Sequence, residues 1–546
     1  PKRMRWGDRD DEFVRPVHWA VLLFGDEVIP ATIMGVQTGR ETRGHRFHHP
    51  NPIRLTAPAD YARQLASVGN VITDFGDRRD AIRAQAEAVA AQLNGVAVIK
   101  PELLEEVAAL VEWPAALAGN FEQRFLEVPA EALISTMQDN QRYFPVVDAH
   151  GRLLPHFITI TNLESRDPAQ VRAGNERVIR PRFSDAEFFW NQDRKQPLSA
   201  RIESLKQVVF QQRLGTLADK SERVAALARL IAEQSHGSSD WAERAARLAK
   251  CDLLTQMVQE FPELQGIMGR YYALHDQEAP EVAQAQEEQY LPRFAGDRLP
   301  ATATGRTLAL AERLDTLTGI FAIGQAPSGA KDPFALRRAA LGVLRLLIEG
   351  ELDLDLQTLL ERAATRFDPA IRAENAVEAV FEFIMDRLRG YYLDQGVRSD
   401  TFEAVLDCRP TRPLDFDRRV HAVNAFRELP EAASLAAANK RIRNLLKKVE
   451  TVLPFEVRPD LLIEEAEQAL AGRLVELSSE VIPLMEAGLY GEALNRLAHL
   501  REPVDAFFDQ VLVMADDPAL RDNRIALLNE LSSLFLRVAD FSRLQD

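Results

Sequence analysis

The chain has 546 residues, 46% of them hydrophobic and 27% charged, a composition typical of a soluble globular protein with about three or four cores. Lysine and arginine total 66 against 82 acidic residues, a net charge of −16, which argues against a protein that coats nucleic acid non-specifically and confines any RNA contact to local basic faces. Two distant cysteines, Cys251 and Cys408, cannot form a zinc cluster. The sequence has no long apolar run and no signal peptide, so we expect a cytoplasmic protein without a membrane anchor.

The first part of the chain alternates strand and helix patterns. Val17–Val36 predicts a β-hairpin around a Gly25-Asp26 turn. A second strand pair is predicted at Tyr143–Val147 and His156–Thr161, joined by a turn at 148–151. Helices are predicted between the two pairs, at Arg78–Leu93 and Pro101–Val111. The chain up to about Asn162 is therefore predicted to be a mixed α+β domain.

After Arg194 the strand signal nearly vanishes, and stretches rich in Ala, Leu, Arg and Glu have apolar spacings of three and four. This spacing predicts a predominantly α-helical remainder. Prolines interrupt it at Arg409–Pro413 and at Leu429-Pro430, and proline disfavours helix in the residue before it. We expect a domain boundary between Cys408 and Pro430.

The segment Gly174–Trp190 brings three arginines close to an aromatic cluster. Arg177, Arg180 and Arg182 precede Phe188-Phe189-Trp190. Arginine forks match phosphate geometry and aromatic rings stack on bases, so one interpretation is an RNA-binding surface. The alternative is an interdomain joint, with the aromatic rings in a core and the arginines paired to Asp185 and Glu187.

Three further segments resemble phosphate- or metal-binding motifs, but each lacks residues that such a site requires. Gly324–Asp332 resembles a phosphate-binding loop, but Ala330 separates Gly329 from Lys331 and an aspartate replaces the hydroxyl residue. His275-Asp276 stands at a predicted helix end with only His236 as a second upstream imidazole, so a solvated terminus is the favoured interpretation. His45, His48 and His49 have no carboxylate or thiolate at ligand spacing and are interpreted as a surface loop, with Arg43 and Arg46 available to phosphate.

The segment Leu435–Val449 has two distinct faces at helical pitch. Its apolar stripe consists of Leu435, Ala438, Ile442, Leu445, Leu446 and Val449. Lys440, Arg443 and Lys447 align on the opposite side, with Arg441 and Lys448 beside them. A solvated face is the usual explanation, but in an acidic chain this basic face is a candidate surface for a nucleic-acid backbone.

Several sequence segments resemble those of a known family, and they occur in the family's order across nearly the whole chain. They are Phe13–Trp19, Arg43–Phe47, Asn175–Arg182, Ser184–Trp190, Glu263–Gly269 and Lys331–Arg338. These segments resemble the β subunit of bacterial heterotetrameric glycyl-tRNA synthetase. The resemblance implies an accessory subunit that binds tRNA(Gly), no catalytic residue or cofactor in this chain, and an α subunit that uses ATP and Mg, assembled as α2β2. It also implies an N-terminal region before Pro1.

The resemblance implies three domains within an α+β, mainly helical protein. Residues 1–170 are similar to part of the phenylalanyl enzyme's β subunit, 171–410 form a helical HD-like domain, 411–429 form a linker, and 430–546 form a helical DALR-type anticodon-binding domain. In the HD-like part, Cys251-Asp252 replaces the usual His-Asp pair and Glu312 or Asp315 the distal Asp, so no metal is expected. An HD-type metal-dependent phosphohydrolase and a non-enzymatic helical scaffold remain the alternatives.

The DALR-type resemblance rests on Ala438–Ile442, Phe507–Val513 and Leu520–Arg524. Together with the basic helix and the Gly174–Trp190 segment, it gives a set of expected tRNA contacts. The expected residues are Lys440, Arg441, Arg443, Lys447, Arg521, Asn523, Arg524, Arg177, Arg180 and Arg182. Asn523 and Arg524 are expected to read anticodon bases, and the lysines to bind phosphates.

Overall fold

The computed structural model describes residues 3–8, 10–447 and 456–544. The chain divides into two compact units. Unit 1 comprises Pro1–Gln196 and Thr255–Leu264, and unit 2 comprises Pro197–Leu254 and Gln265–Asp546.

The elements are numbered in chain order. The strands are β1 (Met4–Arg5), β2 (Glu12–Phe13), β3 (Ala20–Val21), β4 (Leu23–Phe24), β5 (Glu27–Val28), β6 (Thr32–Ile33), β7 (Val36–Gly39), β8 (Glu41–Arg43), β9 (Pro52–Arg54), β10 (Val96–Ala97), β11 (Ala115–Asn120), β12 (Phe144–Val147), β13 (Leu153–Thr161), β14 (Val209–Gln211) and β15 (Gly215–Thr216). The helices are α1 (Tyr61–Ser67), α2 (Phe75–Gln92), α3 (Pro101–Leu110), α4 (Ala130–Ser135), α5 (Pro168–Asp193), α6 (Leu217–Gln234), α7 (Ser239–Leu248), α8 (Gln256–Glu260), α9 (Ile267–His275), α10 (Pro280–Glu288), α11 (Ala303–Ala322), α12 (Leu336–Ile348), α13 (Leu356–Ala364), α14 (Val377–Leu393), α15 (Ser399–Leu406), α16 (Pro413–Phe426), α17 (Ala432–Leu446), α18 (Glu465–Glu486), α19 (Tyr490–Leu497), α20 (Arg501–Gln510) and α21 (Pro518–Leu536).

The main sheet of unit 1 has four antiparallel strands in the order β10-β12-β13-β11. Phe144 lies opposite Ile158, and both are fully buried beneath α2 and α3. The helices contribute apolar residues such as Ile82 and Leu104 to the same core. The predicted strand pair, its turn and the two predicted helices are therefore confirmed.

The N-terminal strands form smaller sheets. The predicted turn at Gly25-Asp26 joins β4 to β5, with Leu23 opposite Val28. The following strand is not continuous as predicted. Pro30, which has no N–H to donate, separates β5 from β6, and Met34 and Gly35 both take positive φ, so a second turn leads into β7. The predicted single hairpin is thus two successive turns.

Unit 2 is helical apart from the short β14–β15 hairpin, as far as the chain is described, so the prediction of a mainly helical region after residue 194 is confirmed. Its most enclosed element is α11, where Leu308, Leu314 and Ile320 are fully buried. Small and apolar residues occur all round this helix, which is the pattern of a helix buried on every side. It packs against α6, α10 and α12.

One predicted boundary falls inside a helix, and the predicted linker contains one. Helix α5 begins after an Asp167 cap, whose carboxylate accepts the Gln170 amide N–H, and it crosses residue 170. The predicted linker 411–429 contains α16, which buries Phe416 and Val423 and packs against α12 and α19. Pro413 opens this helix instead of breaking one, because proline at a first helical position loses no hydrogen bond. The domain assignment itself stays a prediction.

Candidate nucleic-acid interface

Helix α17 presents the basic face that the sequence predicts. Leu435, Ala438 and Ile442 are buried, and the helix packs against α20 and α21. Lys440, Arg441 and Lys447 are exposed. These three cations have no carboxylate within ion-pair distance among the described residues. Lys448 and Val449, which were predicted to continue the helix, lie outside the described residues.

Arg443 does not belong to this exposed face. Its guanidinium forms an ion pair with the buried carboxylate of Asp540 and donates to the Ser542 hydroxyl at 2.9 Å. The Arg443 side chain is 38% exposed, because its position lies between the exposed and apolar sides of the helix. Arg443 thus ties α17 to the C-terminal segment, and its contact with RNA stays a prediction.

An aromatic ring beside Arg441 and an exposed loop after α20 add apolar surface. The Arg441 guanidinium lies over the ring of Phe508, 4.3 Å from its centroid. Phe507 is fully buried, and its ring meets Phe508 edge to face. The loop after α20 leaves Leu512 72% exposed and Met514 48% exposed. Exposed apolar and stacked side chains next to cations suit unstacked bases beside their phosphates.

The residues predicted to read bases lie elsewhere. Asn523 is buried, and its amide accepts from the Arg458 backbone N–H at 2.7 Å and donates to the Arg458 carbonyl at 3.1 Å. Arg524 is buried too, with its guanidinium paired to Glu467 and donating to the Leu512 carbonyl at 2.8 Å. Both side chains are buried and bind partners within the protein, so the prediction that they contact bases is corrected. Arg521 stays partly exposed, 3.9 Å from Asp522.

The arginines of α5 form a separate basic face in unit 1. Arg177 is exposed. Arg180 pairs with Glu122 at 2.6 Å and Arg182 approaches Glu260 at 3.8 Å, with about half of each arginine side chain exposed. Neither pair is the predicted one with Asp185 or Glu187. Such exposed pairs are weak enough to yield to a phosphate.

The aromatic cluster of the same helix is divided between core and solvent. Phe183 is fully buried and meets Phe121 edge to face at 4.9 Å. Trp190 is buried beneath the Arg194 guanidinium, 4.4 Å from its ring. Phe188 is 59% exposed. Trp190 is therefore a core residue, as the second interpretation expects, whereas RNA binding by the arginines stays a prediction.

The carboxylates of the HD-like part are held by internal cations. Lys220, whose side chain is 2% exposed, lies 2.8 Å from Glu312 and 3.1 Å from Asp315. Lys250 lies 3.1 Å from Glu312. These ammonium groups hold the pKa of Glu312 well below its usual range against the opposing effect of burial. Among the described residues, no group of three or more His, Cys, Asp or Glu side chains is placed to hold a metal ion.

Asp252, Asp276 and His45 also make hydrogen bonds within the fold. The buried Asp252 carboxylate accepts the Gly266 N–H at 2.5 Å, and burial raises its pKa to about 6. Asp276 accepts the Leu198 N–H at 2.5 Å. His45, predicted in a surface loop, is buried, with Nε2 2.5 Å from the Asn162 carbonyl. The imidazole of His45 is therefore not available to phosphate.

Two parts of the chain match known protein families. Residues 435–537 match the DALR anticodon binding domain, and residues 1–407 match the family described as glycyl-tRNA synthetase beta subunit. The chain belongs to the glycyl-tRNA synthetase β-subunit family. Within the part of the chain that the structure describes, no helix has the length and apolar character needed to cross a membrane.

Curated relatives resemble the chain along its whole length. The glycine–tRNA ligase beta subunits of Hahella chejuensis and Marinobacter nauticus are 55% and 56% identical over 547 and 546 residues. That of Chromohalobacter salexigens is 55% identical over 545 residues. Each alignment covers 100% of this chain and 79% of the relative.

Proposed function

We propose that this chain is the tRNA-binding subunit of a glycine–tRNA ligase and supports the attachment of glycine to tRNA(Gly) by a separate α subunit. The observation that carries the proposal is the pair of matches in one chain, a ligase β-subunit family over residues 1–407 and an anticodon-binding domain over residues 435–537. The relatives at 54–56% identity are all named as β subunits of that ligase.

The proposed division of labour leaves the chemistry to the α subunit. ATP and Mg act there, the assembly is α2β2, and the complex works in the cytoplasm. What this chain's residues supply is recognition. Bringing the tRNA end to a separate active site contributes through positioning, because a correctly oriented reactant makes an intermolecular step effectively intramolecular.

The anticodon-side interface is proposed to be the exposed face of α17 with the loop that follows α20. Lys440 and Lys447 would bind phosphates, while Arg441 over Phe508 and the exposed Leu512 offer surface to bases. The net charge of −16 means that binding depends on such local faces. The α5 arginines, Arg177, Arg180 and Arg182, are proposed as a second contact with the tRNA backbone.

The proposal is tested by glycine-dependent exchange of pyrophosphate into ATP. We expect no exchange by this chain purified free of α subunit, and exchange when the α subunit is present. The same preparations should bind labelled tRNA(Gly) in a filter assay only when this chain is present. Exchange by the isolated chain, or undiminished tRNA binding by the α subunit alone, would contradict the proposed division.

A further inference from the structure

A cleft of about 600 Å³ opens on the surface of unit 2, and its lining residues lie outside α17. Its walls come from the start of α16, the turn between α18 and α19, and the end of α21. Four arginines line it, Arg412, Arg418, Arg419 and Arg537. We call this feature the arginine cleft.

The floor of the arginine cleft is electrostatically satisfied. The Arg419 guanidinium pairs with Asp415 at 2.7 Å and donates to the carbonyl of Arg537 at 2.7 Å. It also lies over the ring of Tyr490, at 4.8 Å, whose hydroxyl donates to Asp415 at 2.5 Å. Arg419 therefore fixes the floor and has little capacity left for a ligand.

The rim holds three guanidinium groups, those of Arg412, Arg418 and Arg537, against the carboxylates of Asp353 and of Glu486, which is exposed and also lines the cleft. Arg412 and Arg418 share a single carboxylate, that of Asp353, at 3.2 and 3.7 Å. All three side chains are 44–51% exposed. Arg537 is exposed and has no carboxylate within ion-pair distance among the described residues. Each guanidinium carries five N–H donors, so most donors at the rim remain available.

The turn between α18 and α19 brings the backbone of Gly488 close to the Arg418 guanidinium. Gly488 takes a positive φ of 73°, and a Cβ at that position would lie 3.2 Å from Nη1 of Arg418. A glycine at this turn therefore leaves room for the guanidinium beside the backbone. The free donors of the rim thus face a space large enough for a sugar-phosphate unit.

We propose that the arginine cleft binds the phosphodiester backbone of RNA, with Arg418 and Arg537 as phosphate contacts and Asp353 as a competing internal anion. The inference rests on the proposed function, which makes the RNA a tRNA. An open, half-exposed rim suits a strand that passes through the cleft. Guanidinium forks bind phosphate oxygens in the bidentate geometry that lysine cannot provide.

The test uses the complex of this chain with its α subunit and labelled tRNA(Gly), with filter binding from about 50 to 200 mM salt. Arg418→Ala and Arg537→Ala should each weaken binding roughly threefold to tenfold and lower the slope of log affinity against log salt by about 0.7–0.9. Arg366→Ala removes the same charge from an exposed site outside the cleft. This control should stay within about twofold of wild type.

Asp353→Asn provides a test of opposite sign. Removing this carboxylate frees Arg412 and Arg418, so tRNA(Gly) should bind about two- to threefold more tightly. A gain in affinity cannot come from misfolding, whereas a purely structural ion pair predicts no gain. Thermal unfolding of every variant checks that the fold is kept.

Three outcomes have distinct meanings. If wild type binds tRNA(Gly) but both cleft variants bind as the Arg366→Ala control does, the cleft proposal is wrong and the proposed function stands. If wild type fails to bind tRNA(Gly), the proposed function fails. In the third outcome, inorganic phosphate raises the unfolding temperature of wild type and not that of Arg418→Ala. If the variant then binds tRNA(Gly) as tightly as wild type does, the cleft holds small anions and the RNA proposal is overturned.

Discussion

Replacing Arg524 by alanine should unfold the C-terminal helical region before it changes any preference for anticodon bases. The Arg524 side chain is 7% exposed and its partner Glu467 is fully buried. The substitution removes the ion pair and the bond to the Leu512 carbonyl. Among the described residues, Glu467 then keeps only the backbone N–H groups of Ile463 and Glu464 as hydrogen-bond donors, at 2.8 and 3.1 Å.

The cost follows from leaving a charge buried without its partner. Breaking a buried ion pair in this way destabilises proteins by about 3–5 kcal/mol. A domain has only about 5–15 kcal/mol of stability in total. For a domain of about 100 residues, a loss of about 3 kcal/mol lowers the unfolding temperature by roughly 12–24 °C.

The measurement is urea unfolding of the chain followed by circular dichroism, with Arg521→Ala as the matched control. Arg521 stands three residues earlier on the same helix, and its contact with Asp522 at 3.9 Å is exposed, so its loss should cost under about 1 kcal/mol. The double change Arg524→Met with Glu467→Leu should recover most of the stability, because it leaves no buried charge. If Arg524→Ala unfolds with the control yet discriminates less between anticodons, the structural role assigned to Arg524 is wrong.

Three other perturbations have defined outcomes. Lys220→Met should lower the free energy of unfolding by about 3–5 kcal/mol in urea titration, since it leaves Glu312 and Asp315 short of a buried cation; an effect below about 1 kcal/mol would contradict this. The pKa of Asp252 is raised to about 6 from 3.8, so the folded state holds this proton more tightly than the unfolded state. The free energy of unfolding should therefore fall as pH rises from about 4 to 6, and Asp252→Asn should flatten that fall. An unchanged pH profile in the variant would count against this. Lys440→Ala and Lys447→Ala should weaken all tRNAs alike and each lower the salt slope by about 0.7–0.9 in filter binding, and a selective loss for one anticodon would show base contacts instead.

The basic face of α17 could be predicted because its cations repeat at helical pitch against an apolar stripe. That periodicity identifies the side of the helix that faces solvent, and Lys440 and Lys447 are exposed as predicted. It does not identify long-range partners. Arg443 is held by Asp540, almost a hundred positions later, and nothing near Arg443 in the sequence indicates this pairing.

The same limit explains the corrected positions on α21. Asn523 and Arg524 look like surface residues by composition, but they stand at the start of a run, Asn523–Leu528, that is buried throughout. Their partners, the Arg458 backbone and Glu467, come from segments about sixty residues earlier. The Arg441–Phe508 stack has no local signal either, because it depends on packing between α17 and α20.

Steady-state charging of tRNA(Gly) by the complex of this chain with its α subunit tests the central claim most directly. The variant to compare is Lys440→Ala/Arg441→Ala/Lys447→Ala, with Arg362→Ala/Arg366→Ala as an exposed control away from α17. We expect the triple change to raise KM for tRNA(Gly) by about tenfold or more while glycine-dependent ATP–pyrophosphate exchange stays at the wild-type rate. Equal losses in exchange and charging, or charging unchanged from the control, would contradict the assignment of tRNA binding to this face.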